Sequence, residues 1–152
     1  MKILLATDGS PHSKAMINEF AGRTFSSNTK LRIVSAYEKA SFIMNTNPMT
    51  PSDEFNITAD EYLVKAAQNA VQNAAAILRI KNPGFIISTA AIEGSPKNII
   101  LDEAEKFGAN LIVVGSHGYG ALDRFLLGSV SQSVALHAKC SVEIVRKKKN
   151  KK

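Results

Sequence analysis

Two glycine-bearing segments hold the residues best suited to chemistry: Val114-Gly115-Ser116-His117-Gly118, and Gly128-Ser129 downstream, in the pattern Gly-x2-Gly-x9-Gly-Ser. Gly115 and Gly118 let the main chain turn sharply and approach a ligand with no Cβ in the way. Val130, Val134 and Ala138 are spaced four apart, as on one face of a helix, and Ser129 reads as its N-cap. The unpaired N–H groups at that helix start would face the loop, where hydrogen bonding and the helix dipole both favour an anion such as phosphate. His117 and Arg124 are candidate donors to that anion, although Arg124 could equally pair with Asp123. Asp8 is acceptor-only when ionised and suits hydroxyls of a sugar, or a metal carried by phosphate. Its alternative role is to cap the helix that follows.

Other chemistries find less support. The lysine of a Walker A loop is absent, and Gly118-x-Gly120 lacks the third glycine of a dinucleotide fingerprint. There is no Gly-x-Ser-x-Gly nucleophile elbow. His12, His117, His137 and Cys140 show no metal-ligand spacing, and Cys140 reads as a buried residue at the start of a strand.

These residues need a scaffold, and the chain supplies an alternation of strand and helix patterns. That alternation predicts an α/β fold: one parallel sheet with helices on both faces. Strand one is expected from Lys2 to Thr7. A helix follows with Ser10 as N-cap and Pro11 in the first turn, carrying Met16, Ile17, Phe20 and Ala21 on its apolar face. Strand two is expected from Leu31 to Tyr37. Thr58-Ala59-Asp60-Glu61 reads as a capping box opening a second helix, followed by Leu63, Ala67, Ala70, Val71, Ala74 and Leu78 at helical spacing. Pro83-Gly84 ends it and Phe85-Ile86-Ile87 opens strand three. Ser95-Pro96 starts a third helix that Gly108 terminates. Leu111-Ile112-Val113-Val114, short, apolar and β-branched, is the strand before the glycine loop. Between Lys39 and Asn56 lies an unusually long connection, expected to be a mobile surface loop, a flap, or a partner site using Phe42, Met44 and Met49.

The glycine motif resembles that of the ATP-binding universal stress proteins, and the similarity extends along most of the chain. Ile3-Leu4-Leu5-Ala6-Thr7-Asp8-Gly9-Ser10 is similar to that family's first strand and acidic turn. Glu93-Gly94-Ser95-Pro96, with Ile99 and Ala104, resembles the segment before its fourth strand, and Cys140 to Val145 its last strand. Ser141 stands where proline is common and Asn110 where aspartate is common; neither touches the glycine motif.

The resemblance implies a single domain over 1–146, built on an open five-stranded parallel Rossmann-like sheet of order 3-2-1-4-5. In that order strands one and four lie side by side with diverging loops, the crevice in which open α/β sheets bind ligands. It also implies an adenine nucleotide there, ATP or AMP, with Mg accompanying ATP. The candidate contacts are Thr7 and Asp8 after strand one; Ala36 and Tyr37, whose backbone would meet the adenine edge; Val114, Gly115, His117 and Gly118; Arg124; and Gly128, Ser129, Val130 and Ser131. A homodimer through Val142–Val145 is implied as well, with Glu143 requiring solvent or a cation.

Composition narrows the functional classes. The formal charge is +6, but Arg146, Lys147, Lys148, Lys149, Lys151 and Lys152 account for six of 19 basic residues, leaving 13 against 13 acids. The basicity is therefore a tail at 147–152, expected to be disordered, and nucleic acid is an unfavoured partner. No run approaches the roughly 18 apolar residues of a membrane span, no signal peptide is evident, and a single cysteine makes no internal disulfide. A cytoplasmic protein that does not engage a membrane is expected. The expected function is a nucleotide-binding stress-response regulator without catalytic residues of its own. A slow ATPase and a nucleotide-independent dimeric module are the alternatives.

Overall fold

The computed structural model describes residues 1–39, 52–117 and 127–146. In chain order the elements are β1 (Lys2–Ala6), α1 (Pro11–Ala21), β2 (Lys30–Tyr37), α2 (Ser52–Lys81), β3 (Ile86–Glu93), α3 (Pro96–Phe107), β4 (Leu111–Gly115), α4 (Ser129–His137) and β5 (Ser141–Val145). The strands form one parallel sheet of order β3-β2-β1-β4-β5. The chain begins at the centre of the sheet, runs outward to β3, and returns to the other side of β1.

The strands alternate between two cores because successive side chains leave opposite faces. Ile3, Leu5, Leu31, Ile33 and Val113 pack with Met16, Ile17 and Phe20 of α1 and Val71, Ala74 and Leu78 of α2. Leu4, Val34, Ile112 and Val114 pack on the other face with Ile100 and Ala104 of α3 and Val134 of α4. The central strands are thus apolar on both faces, as a sheet covered by helices requires.

Local signals set most helix ends. Ser10 caps α1, accepting a hydrogen bond from Ser13 N at 3.2 Å, with Pro11 in the first turn. Gly108 closes α3 with φ +66°, a left-handed conformation open to glycine at little cost. Four expectations need correction. The box Thr58–Glu61 lies inside α2, which starts at Ser52. A capping box favours a helix start without forbidding helical turns before it, and the helix grows past this signal. The long connection accordingly ends before Ser52; its residues 40–51, including Phe42, Met44 and Met49, lie outside the described residues. The N-cap of α4 is Gly128, not Ser129, which is the first helical residue. Cys140 is only partly buried and precedes β5.

Glu143 faces α1 from β5 and meets the cation it requires. Arg23, just beyond α1, donates to Glu143 Oε2 at 2.8 Å and also pairs with Glu19. The carboxylate hydrogen bond pushes the Arg23 pKa up from its ordinary value, against a smaller opposing effect of burial. Among the described residues, no helix is long and apolar enough to cross a membrane.

Candidate functional site

β1 stops at Ala6 while β2 runs on to Tyr37, and the turns after β1 and β4 diverge around the gap. The gap is a cleft of about 430 Å3, the size of small-molecule sites. Its walls come from the end of β1 and its turn (Ala6, Thr7, Asp8), from Ser13 of α1 and from Ala36 of β2. The other wall is Val114, Gly115 and His117, with Gly128, Ser129, Val130 and Ser131 of the α4 terminus, while Pro96 and Ile100 close the side against α3.

Asp8 combines both roles read from its position. Its Oδ1 accepts from Ser10 N at 2.9 Å and from the Ser13 hydroxyl, fixing the turn into α1, and the residue is exposed on the cleft wall. Gly9, φ +75°, makes that turn, and its N–H donates to Thr7 Oγ1 at 3.2 Å. Thr7 is otherwise buried, and its N–H donates to Val34 O at 2.9 Å.

The register decides which backbone groups of β2 face the cleft. In a parallel strand, residues two apart direct their N–H and C=O groups to the same side. The Val34 carbonyl serves Thr7 on the β1 side, whereas the Tyr37 carbonyl accepts from Gly94 N at 2.9 Å on the β3 side. Ala36 therefore directs its amide groups toward the gap beyond β1. Tyr37 directs its own toward β3 and is not among the residues lining the cleft, so of the two residues expected at an adenine edge the cleft wall contains Ala36.

At the other wall, Gly128 is needed for close approach. A Cβ there would sit 3.2 Å from Ser116 O and 3.5 Å from His117 Cα. Gly128 N donates to that same Ser116 carbonyl at 2.8 Å. The Ser131 hydroxyl lies 3.2 Å from Ser116 O and 2.9 Å from Gly128 O. Ser131 is thus a clasp that sets the α4 terminus, with its hydroxyl committed to backbone rather than facing outward for phosphate. The first-turn N–H groups of α4, beginning with Ser129, open on the cleft. Ser129 itself is exposed. Gly118 and Arg124 lie outside the described residues.

The electrostatics of this end are set by helix direction. Helices in a parallel α/β sheet run opposite to the strands, so α1, α3 and α4 all begin at the carboxyl end of the sheet. None of the three carries an acid in its first turn; the Asp8 carboxylate stands at the start of α1, whereas the positive dipole ends of α3 and α4 have no first-turn acid to offset them. His117 adds an orphaned group: its Nε2 is buried and, among the described residues, has no hydrogen-bond partner. An anionic ligand oxygen suits the helix ends, and it suits His117 Nε2 in the tautomer that carries its proton there. No group of three or more His, Cys, Asp or Glu among the described residues is placed to hold a metal ion.

Sequence reasoning missed Ala6, Ser13, Pro96 and Ile100 as wall residues. The Ser95-Pro96 start signal held the clue, since it places the first turn of α3 at the same end of the sheet.

The universal stress protein family model matches residues 1–146. A candidate universal stress protein of Staphylococcus epidermidis is 32% identical over 145 residues, spanning 95% of this chain and 82% of that one. A universal stress protein solved in complex with cAMP superposes with a TM-score of 0.67 at 26% identity, covering 97% of this chain and 98% of that one. UspA of Lactobacillus plantarum gives 0.68 at 25% identity, with 96% and 97% covered.

Proposed function

The chain belongs to the universal stress protein family, and from that premise we propose that it is a stress-response regulator that binds an adenine nucleotide, ATP before AMP. The observation that carries this reading is the cleft itself. It combines an outward-facing strand amide at Ala36, a carboxylate at Asp8 and an uncompensated helix terminus at Gly128–Ser131. The Ala36 N–H and C=O match the paired donor and acceptor on an adenine edge. Asp8 accepts from ribose hydroxyls, or approaches a Mg ion brought by ATP. The α4 terminus, with Gly115, His117 and Gly128, receives phosphate. Thr7 and Ser131 hold the two walls in place, and Val114 and Val130 give the base an apolar surround. Gly118 and Arg124 lie outside the described residues and are proposed for phosphate from the sequence motif alone. The relative in complex with cAMP supports the adenine nucleotide class.

The site is assigned to binding and regulation within a domain spanning 1–146, in a cytoplasmic homodimer. The dimer contact is β5, an edge strand whose outer side is unpaired among the described residues. Its charged residue, Glu143, is already neutralised by Arg23, so Val142–Val145 meets a partner without a bare carboxylate.

The test is to denature purified protein, identify released nucleotide by mass spectrometry, and repeat with Gly128→Val. ATP or AMP at one per chain in the wild type alone is the expected result. A protein that emerges empty and does not bind added ATP or AMP overturns the reading. Sedimentation as a monomer at micromolar concentration overturns the dimer.

A further inference from the structure

The sheet has a second edge, β3, on the side away from β5. From Ile86 to Ile92 this strand carries no charged residue and no proline, the devices by which natural sheets blunt an exposed edge. Its ladder to β2 uses alternate residues: Ile86 N donates to Thr29 O at 3.0 Å and Gly94 N to Tyr37 O at 2.9 Å. Ile87, Thr89, Ala91 and Glu93 therefore direct their amide groups outward, where among the described residues no strand meets them. The side chains of Ile86, Ser88, Ala90 and Ile92 lie on the α3 face of the sheet, yet none joins the core packed there, and Ile86 is 53% exposed. On the other face α2 runs alongside the edge, and Gln72 Nε2 donates to Thr89 Oγ1 at 3.3 Å. Glu61, Lys65, Gln68 and Arg79 share that side of the helix with Gln72, and all five are exposed. The charges divide along the edge. At the carboxyl end Glu38, Asp60, Glu61 and Glu93 outnumber Lys39 and Lys65, with Lys39 held by Glu93 at 2.8 Å. At the amino end stand Lys30, Arg79 and Lys81.

We propose that the β3 edge pairs with the β3 edge of a second copy of this chain, antiparallel about a two-fold axis at Thr89, with the two α2 helices side by side over the joint. Outward amides then meet as hydrogen-bonded pairs, Thr89 with Thr89 and Ile87 with Ala91, while Ile86 lies opposite Ile92 on the uncovered face. An axis at Ala90 also matches outward amides, but it sets Ile87 against Glu93. α2 rests on both β2 and β3, so the two copies of it lie two strand spacings apart, about 10 Å, the distance of packed helices. Helical side chains lean toward the N-terminus, so the contact of Gln72 with Thr89 sets the axis about two residues before Gln72 on the helix. Glu61 then stands level with Arg79 of the second copy, and Gln68 with Gln72. A foreign strand finds the same amides, but it is an inverted copy of this same surface that complements the division of charge. The interface is independent of the nucleotide reading and of β5, and with both edges joined the assembly grows beyond a dimer.

Disulfide trapping in the full chain, with Cys140→Ser as background, tests the register directly. Thr89→Cys puts two thiols in a hydrogen-bonded pair with Cα atoms about 5.5 Å apart, within disulfide reach. Mild oxidation is expected to give a covalent dimer on a non-reducing gel. Ile87→Cys and Ala91→Cys are expected to give none singly and to link when the two proteins are mixed, a result that also serves if Thr89→Cys does not fold. At low salt and a fixed short oxidation time, adding Glu61→Arg or Arg79→Glu to Thr89→Cys raises the protein concentration needed for half-linking about tenfold, since two ion pairs are lost per interface. Both exchanges together restore it, because the reversed charges again meet their opposites. Absence of any link overturns the interface, as expected if the edge takes a foreign strand instead, and so do equal links from all three single-cysteine proteins. A double exchange that links as poorly as its parts overturns the antiparallel arrangement.

Discussion

Gly128→Ala tests the phosphate end of the cleft with a single methyl group. The new Cβ would lie 3.2 Å from Ser116 O, inside ordinary contact, and 3.5 Å from His117 Cα. The Ser116 carbonyl is poorly placed to withdraw. It accepts from Gly128 N at 2.8 Å and lies 3.2 Å from the Ser131 hydroxyl, so moving it strains both. The remaining response is for the start of α4 to move by a few tenths of an ångström. In the empty protein this overpacking costs about 1 kcal/mol, a fall of roughly 2–4 °C in melting temperature for a chain of this size. The effect on ligand is larger. Misaligning one or two N–H donors to a charged group loses about 2.7 kcal/mol, or about a hundredfold in affinity. With ATP at about a hundred times the wild-type Kd, binding stabilises the wild type by about 2.7 kcal/mol, a rise of roughly 5–11 °C. At the same concentration the variant is half-saturated, gains about 0.4 kcal/mol, and rises by about 1 °C. Differential scanning calorimetry with and without ATP measures both quantities. A variant with an undiminished ATP-induced rise would refute the placement of phosphate at the α4 terminus.

The remaining predictions address other parts of the molecule. Ala36→Pro removes the N–H directed at the cleft but spares the bonds to β3, so nucleotide affinity falls about tenfold for one lost hydrogen bond while the fold is retained. Tyr37→Pro instead breaks the β2–β3 ladder and lowers the melting temperature, and the reverse pattern would show that the cleft-facing residue is misassigned. Arg23→Ala loses about 0.5–1 kcal/mol in low salt, and a double-mutant cycle with Glu143→Ala in urea should show that coupling shrinking as salt rises. Burial raises the Cys140 thiol above its ordinary value, so the folded protein favours the neutral thiol. That stabilisation is complete below the unfolded thiol's pKa and is lost as pH rises through the folded one, above about pH 9. Iodoacetamide should accordingly label native Cys140 more slowly than the urea-unfolded chain at the same alkaline pH, and equal rates would contradict its burial. Phe20→Ala, at a fully buried position between the sheet and Phe25, should cost about 3–5 kcal/mol in chemical denaturation.

Much of the architecture is determined within short windows of sequence. Ser10-Pro11 starts α1 and Gly108 ends α3 because caps act between residues three or four apart. The apolar strands are legible because a two-sided core demands unbroken runs such as Leu111 to Val114. The order β3-β2-β1-β4-β5 followed from resemblance to a family, since periodicity does not say which strands meet. Where two local signals compete, sequence is a weaker guide. α2 extends past the box at Thr58 to Ser52, and the start of α4 is fixed by Ser116 and Ser131 clasping Gly128 rather than by a cap at Ser129.

The cleft shows the same division. Asp8, Gly115 and Gly128 announce themselves by residue type, because a tight turn and a close approach need those chemistries. Ala36 and Tyr37 are indistinguishable in sequence. Only the register against β1 and β3 decides that one faces the cleft and the other the ladder. His12 and His117, more than a hundred residues apart, meet because α1 and the β4 turn open at the same end of adjacent parallel strands. Short-range rules supply the parts, and long-range pairing alone sets which of their polar groups face each other.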